Sequence, residues 1–174
     1  TGSEDGVYIT NEGNFQFGNA AVSFYEEGLA DAVPDLFEPT NNRPLGDVCQ
    51  SMYFFNGLAY IVVNNSNKIE VVNANTFVSV ATITGFNSPR YFLPVSNSKA
   101  YVTDLYDDAI SIVDLSSNQR TGEIACAGWT EELVLAYGKA FVTNRERNQL
   151  YIINTMNDQL TDSIEIGAGA NSII

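Results

Sequence analysis

The chain has 174 residues, 45% of them hydrophobic and 17% charged, with 8 Lys and Arg against 21 Asp and Glu for a formal net charge of -13. That balance excludes a nucleic-acid partner, which needs a basic face, and opposes an anionic membrane surface. The absence of histidine excludes a Ser-His-Asp triad, a Cys-His dyad and any His-ligated metal site.

Residues 1–6 are small, polar and acidic and read as an N-terminal tether. The sequence does not open on a basic-then-apolar leader, and no run reaches the ~18 apolar residues of a membrane span. Residues 7–37 then read as strands two to four of a first β-unit, with Val7-Tyr8-Ile9-Thr10-Asn11 as its second strand and Ala21-Val22-Ser23-Phe24-Tyr25 as its third. From residue 50 a phrase begins to repeat. Ala59-Tyr60-Ile61-Val62-Val63-Asn64 returns as Ala100-Tyr101-Val102-Thr103-Asp104 and as Ala140-Phe141-Val142-Thr143-Asn144, at steps of 41 and 40 residues. A second phrase, Ile69-Glu70-Val71-Val72-Asn73, returns at Ile110 and Leu150 with the same steps. Two phrases locked to one spacing mark a structural repeat.

Each repeat carries four short runs rich in Val, Ile, Tyr, Phe and Thr, parted by turn residues. In the third unit these are 90–95, 100–104, 109–114 and 120–124. Four strands per unit of about forty residues predicts an all-β propeller, with blades at 50–83, 90–124 and 131–166. Residues 171–174 match the first strand of a next or closing blade. Cys49 and Cys126 stand in no Cys-x-x-Cys pair and read as unpaired, buried thiols.

Tyr8 to Asn11, Tyr101 to Asp104 and Phe141 to Asn144 resemble the YVTN repeats of surface-layer-type propellers. Together with Leu45-Gly46-Asp47-Val48 and Thr84-Gly85-Phe86-Asn87-Ser88-Pro89-Arg90-Tyr91, they are similar to the YncE-like cell-surface propellers of Bacteroides-type bacteria. The resemblance implies a seven-bladed, exported and lipid-anchored protein at the cell surface or in the periplasm. This chain would supply about four blades, as half a ring or as a ring completed by oligomerisation, including a homodimer that exchanges terminal strands. Some relatives of that kind capture corrinoids and pass them to an outer-membrane transporter. The implied function is therefore non-enzymatic capture of a small polar ligand, a corrinoid or a glycan, with no cofactor. The alternative is a structural propeller that docks an outer-membrane protein partner.

Antiparallel strand order puts the loops after second strands and the connections after fourth strands at one end of each blade. That end carries the long segments 12–20 and 38–50, and long loops on a rigid scaffold are where binding concentrates. Candidate ligand-binding residues are therefore Phe15, Phe17, Arg43, Asp47, Gln50, Arg90, Tyr106, Trp129, Glu131 and Arg145. The arginines would offer planar donor forks to carboxylate, phosphate or amide oxygens, and the aromatic rings would stack on a sugar or flat ligand. Asp104, Asp107 and Asp108 could supply oxygens to calcium but lack the order of an EF-hand loop, so no metal site is expected. Glu131 and Glu132, with Asp47, could suggest a glycosidase or lyase, but neighbouring strand residues point to opposite faces.

Overall fold

β-branched and aromatic side chains fit a pleated surface, and in a computed structural model of the chain the expected runs are strands. Residues 6–28 and 30–174 are described, so the tether lies outside the described residues except for Gly6, which opens the first strand. The chain is all-β and built from propeller blades: fourteen strands, one four-residue helix and one short 3₁₀ turn among the described residues. No helix among them is long and apolar enough to cross a membrane. It divides into two compact units, Thr1–Ile83 and Thr84–Ile174.

In the first unit, β1 (Gly6–Asn11) pairs with β2 (Ala21–Glu26), and β3 (Cys49–Phe55), β4 (Leu58–Val63), β5 (Lys68–Asn73) and β6 (Ser79–Ile83) form a four-stranded antiparallel meander. The fourth strand expected within 7–37 is reduced to one bridge, Phe24 to Val33. Beyond the bridge the Leu36 N–H still reaches β2, at Val22 O, and the Asp35 carboxylate takes the N–H groups of Phe37 and Glu38. That turn leads into α1 (Glu38–Asn41), within a connection that reads as irregular in sequence. Val22, Phe37, Leu45, Ile61, Val63 and Val72 form the unit's core. Burying each such side chain stabilises by about 1.5–3 kcal/mol.

The second unit holds two further meanders, β7 (Pro89–Pro94), β8 (Lys99–Asp104), β9 (Ala109–Asp114) and β10 (Gln119–Ala125), then β11 (Thr130–Ala136), β12 (Lys139–Asn144), β13 (Gln149–Asn154) and β14 (Gln159–Glu165). Leu93, Tyr101, Ile110, Leu133, Val142 and Ile153 are among its core residues. Residues 166–174 belong to no strand, yet they follow the inner strand of the fourth blade. The Ile173 N–H donates to Glu132 Oε2, and Thr143 Oγ1 donates to Asn171 O.

The repeat is visible in its turns. Asn56-Gly57 and Tyr137-Gly138 both have positive φ at their two residues, the geometry that joins twisted strands through a two-residue loop. After each third strand, Asn73, Asp114 or Asn154 bends its side-chain oxygen back onto N–H groups two or three residues on. The Ser116 hydroxyl, followed by the Ser117 N–H and hydroxyl, holds the Asp114 carboxyl down to about 2. The sign follows: a depressed folded value contributes order above the ordinary carboxyl range and loses it as pH falls towards 2. Titration of the Asp114 carboxyl by NMR is expected to show this low midpoint, and Ser116→Ala to raise it. A midpoint near 3.8, the ordinary value, in both proteins would refute the contact.

Both cysteines are free and buried, one in each unit, and burial pushes each thiol up to about 12. Thiolate is therefore scarce at both positions at neutral pH.

Candidate functional site

A shared bulge opens the inner strand of each complete blade. Register shifts fall between Cys49 and Ser51, Pro89 and Phe92, and Thr130 and Leu133. The three bulges place Gln50, Arg90 and Glu131 at equivalent positions. A bulge re-aims the side chains it carries. Gln50 is half-buried. Arg90 and Glu131 meet: Nε and one terminal nitrogen of the guanidinium reach the two carboxylate oxygens, each at 3.1 Å. Glu131 is fully buried. A buried carboxylate requires such a partner, so the pair joins two blades rather than presenting a donor and an acceptor to a ligand. Glu132 points the other way, to the Ile173 N–H. The two carboxylates therefore serve opposite faces and form no pair for glycosidic chemistry.

Arg43 is likewise committed. Its guanidinium bonds the fully buried Glu70, as do Lys68 Nζ at 3.1 Å and the hydroxyls of Ser79 and Thr82. Arg43 also lies over the Phe37 ring, 4.9 Å from its centroid. Against desolvation, the bonds from Arg43, Ser79 and Lys68 keep the Glu70 carboxyl below its ordinary value. Two of the expected donors, Arg43 and Arg90, thus hold buried carboxylates.

Asp47 organises the long loop of the first blade. It is 7% exposed, and its Oδ2 accepts from the Gln16 N–H at 2.8 Å and from the Asn65 amide. The Phe17 N–H donates to Asn14 O, and Asn19 Oδ1 accepts the Asn14 N–H. The result is a pinned tip that offers Phe15 and Phe17 to solvent, 62% and 77% exposed.

In the second unit the loop end has a different chemistry. The Arg145 N–H donates to Trp129 O at 3.0 Å, just as Leu105 N–H does to Ser88 O one blade earlier. This bond brings the β12–β13 loop over the residue before β11, and the Arg145 guanidinium stacks on the Trp129 indole at 4.6 Å from the ring centroid. Among the described residues, neither Arg145 nor Arg147 has a carboxylate partner. Trp129 Nε1 is buried without a hydrogen-bond partner. The β8–β9 loop joins the same end, because Asp108 Oδ1 accepts the Gly128 N–H at 2.7 Å and Asp108 O accepts the Cys126 N–H. It presents Tyr106, 71% exposed.

Asp104 fixes that loop. Its Oδ2 accepts the N–H groups of Asn87 and Ser88, and its Oδ1 those of Tyr106 and Asp107. Asp107 faces the Asn87 amide and Asp108 the Gly128 N–H, so the three carboxylates of 104–108 diverge instead of converging on calcium. Among the described residues no cluster of three or more His, Cys, Asp or Glu is placed to hold a metal ion.

Sequence reasoning thus found Trp129, Arg145, Tyr106, Phe15 and Phe17 at loop ends but missed the partners of Arg43 and Arg90. Arg90 and Glu131 stand one period apart with opposite charges, a signal that equivalent positions in successive blades are neighbours.

The family described as "Domain of unknown function (DUF5074)" matches residues 5–174. No curated protein matches. Apo AztD from Citrobacter koseri is 15% identical, with 99% of this chain aligned to 49% of that one at a TM-score of 0.62. The dihydro-heme d1 dehydrogenase NirN, in complex with DHE, is 12% identical over 88% of this chain and 35% of its own, at 0.63. U3-55K is 9% identical over 97% and 51%, at 0.74. The likeness is one of fold, and the chain spans about half or less of the length of these structures.

Proposed function

The chain belongs to the DUF5074 family, and we propose that it is a non-enzymatic binding module that captures a small polar ligand, a corrinoid or a glycan, at the loop end of its second unit. The stacked Trp129–Arg145 pair carries this reading. The Arg145 guanidinium lies over the Trp129 indole and forms no ion pair among the described residues, so its N–H groups suit amide, carboxylate or phosphate oxygens. The exposed Tyr106 adds a flat apolar surface for a sugar face or a conjugated ring. Both rings sit on loops tied down by backbone hydrogen bonds, so little ordering entropy is lost on binding.

Export to the cell surface or periplasm, and delivery to an outer-membrane transporter, are part of the proposal and rest on the likeness to YncE-like surface propellers. A homodimer formed by exchange of terminal segments is also part of the proposal, with 171–174 becoming a strand only on pairing with the second copy. A second reading, docking of a protein partner, is favoured by the pinned tip that offers Phe15 and Phe17.

Calorimetric titration with cobalamin and a panel of neutral and acidic glycans tests the first reading. Saturable heat with one class is expected, weakened about tenfold or more in Trp129→Ala, in line with the ~1–3 kcal/mol of an aromatic stack. Arg145→Ala is expected to weaken acidic or amide-bearing ligands most. No heat with any member of the panel would reject the reading, and capture of an outer-membrane protein lost in Phe15→Ser/Phe17→Ser would replace it with the second.

A further inference from the structure

Hydrogen bonds fix the segment before β11 along its backbone. Ala127 O accepts from the Asn144 amide and from the Tyr151 hydroxyl, each at 3.0 Å. The Gly128 N–H donates to Asp108 Oδ1, the Trp129 N–H donates to Glu146 Oε2 at 3.2 Å, and Trp129 O accepts the Arg145 N–H. Asn144 Oδ1 accepts the Arg147 N–H at 2.8 Å and closes the β12–β13 loop on itself. Residues 127–129 and 144–147 therefore form one framework that needs no ligand to order it.

Two exposed arginines lie on this framework, over neighbouring residues. The Arg145 guanidinium covers the Trp129 indole, and Arg147 lies against Gly128. Gly128 has a φ of 89°, and a Cβ there would stand 3.1 Å from both Arg147 Nε and Glu146 Oε2. A backbone conformation that favours glycine, with no side chain in the way, lets Arg147 lie this close to the platform.

The distribution of cations sets these two apart. The chain has eight Lys and Arg. Arg43, Lys68, Arg90, Lys99 and Arg120 each pair with a carboxylate, which leaves Lys139, Arg145 and Arg147 without an ion pair among the described residues. Lys139 opens β12, and the two arginines follow its other end. Glu146 stands between them in sequence and Asp108 beside Gly128, yet one oxygen of each accepts a backbone N–H and neither carboxylate pairs with an arginine. These two acids offset much of the local positive charge, so the arginine pair suits a monoanion better than a doubly charged phosphate. A planar carboxylate also matches the guanidinium fork.

We propose that Arg145 and Arg147 together make the platform selective for a ligand that carries a carboxylate, with Arg147 a specificity-determining residue beside the stacked pair. This inference rests on the reading of the Trp129–Arg145 platform as the ligand site and names the group recognised there.

Two matched pairs of probes differ in their carboxylates: trigalacturonate against its methyl ester, and a cobalamin monocarboxylic acid against cobalamin. In calorimetric titration of the native protein, the acid of at least one pair is expected to bind about tenfold or more tightly than its neutral counterpart, the size of one charge-assisted hydrogen bond. Arg145→Gln and Arg147→Gln should each cut that ratio severalfold, whereas Trp129→Ala should weaken both members of the pair alike. Equal or reversed affinities within every pair that gives heat would overturn the inference and leave the platform reading in place. A ratio that survives Arg147→Gln, a change at an exposed position, would do the same. Heat from none of the four probes would reject the inference and the platform reading together.

Discussion

Glu131→Ala is expected to destabilise the second unit by about 3–5 kcal/mol, more than any other single change at a charged residue there. The carboxylate is fully buried, and Arg90, whose side chain is 16% exposed, reaches it with two N–H groups. Removing the acid takes from this mostly buried guanidinium the carboxylate that two of its N–H groups reach. Arg90→Ala should be comparably harmful for the mirror reason. The double variant Arg90→Leu/Glu131→Leu should recover most of the loss, because apolar replacement of both members removes the desolvation penalty with the pair. Urea unfolding of the four proteins gives the coupling energy directly. Single variants within about 1 kcal/mol of the native protein would show that the pair is not dry.

Asp104→Ala is the second large effect. Four backbone N–H groups, from Asn87, Ser88, Tyr106 and Asp107, converge on this one buried carboxylate. Leaving buried donors unpaired costs about 1–3 kcal/mol each where water cannot replace the acceptor. The expected loss is about 2–4 kcal/mol, since part of the loop can reach solvent. Asp104→Asn should be milder. Asn144 holds the equivalent place in the next repeat, but an amide has one acceptor oxygen where the carboxylate has two. Hydrogen exchange at Tyr106 and Asp107 should accelerate in both variants and most in alanine. Unchanged exchange at those two amides would contradict the role.

Much of the fold was legible because it is written in local pattern. The alternation in 100–104 and 109–114, repeated at fixed spacing, placed β8 and β9 to within a residue. Asn56-Gly57 fixed its turn because both positions need positive φ. Where the pattern lapsed, the prediction failed: what reads as a fourth strand keeps one bridge and gives way to the Asp35 turn and a helix. The site was legible in part. Trp129 and Arg145 were placed at one end by strand order alone, and the bond from Arg145 N–H to Trp129 O brings them together. The roles of Arg43 and Arg90 were not legible, because a cation in sequence shows its charge and not its partner. Glu70 is 27 residues from Arg43, and Glu131 is 41 from Arg90. The buried carboxylates of Glu70 and Glu131 turned those two arginines from expected ligand donors into inter-segment ties.

The central claim is that ligand capture belongs to the loop end of the second unit, on the Trp129–Arg145 platform. Hydrogen–deuterium exchange of the native chain, with and without the ligand that gives calorimetric heat, tests it most directly. Protection confined to 105–108, 126–129 and 145–148, and absent in Trp129→Ala, is the expected result. Protection instead at 12–20 and 38–48, or none in the second unit, would contradict it.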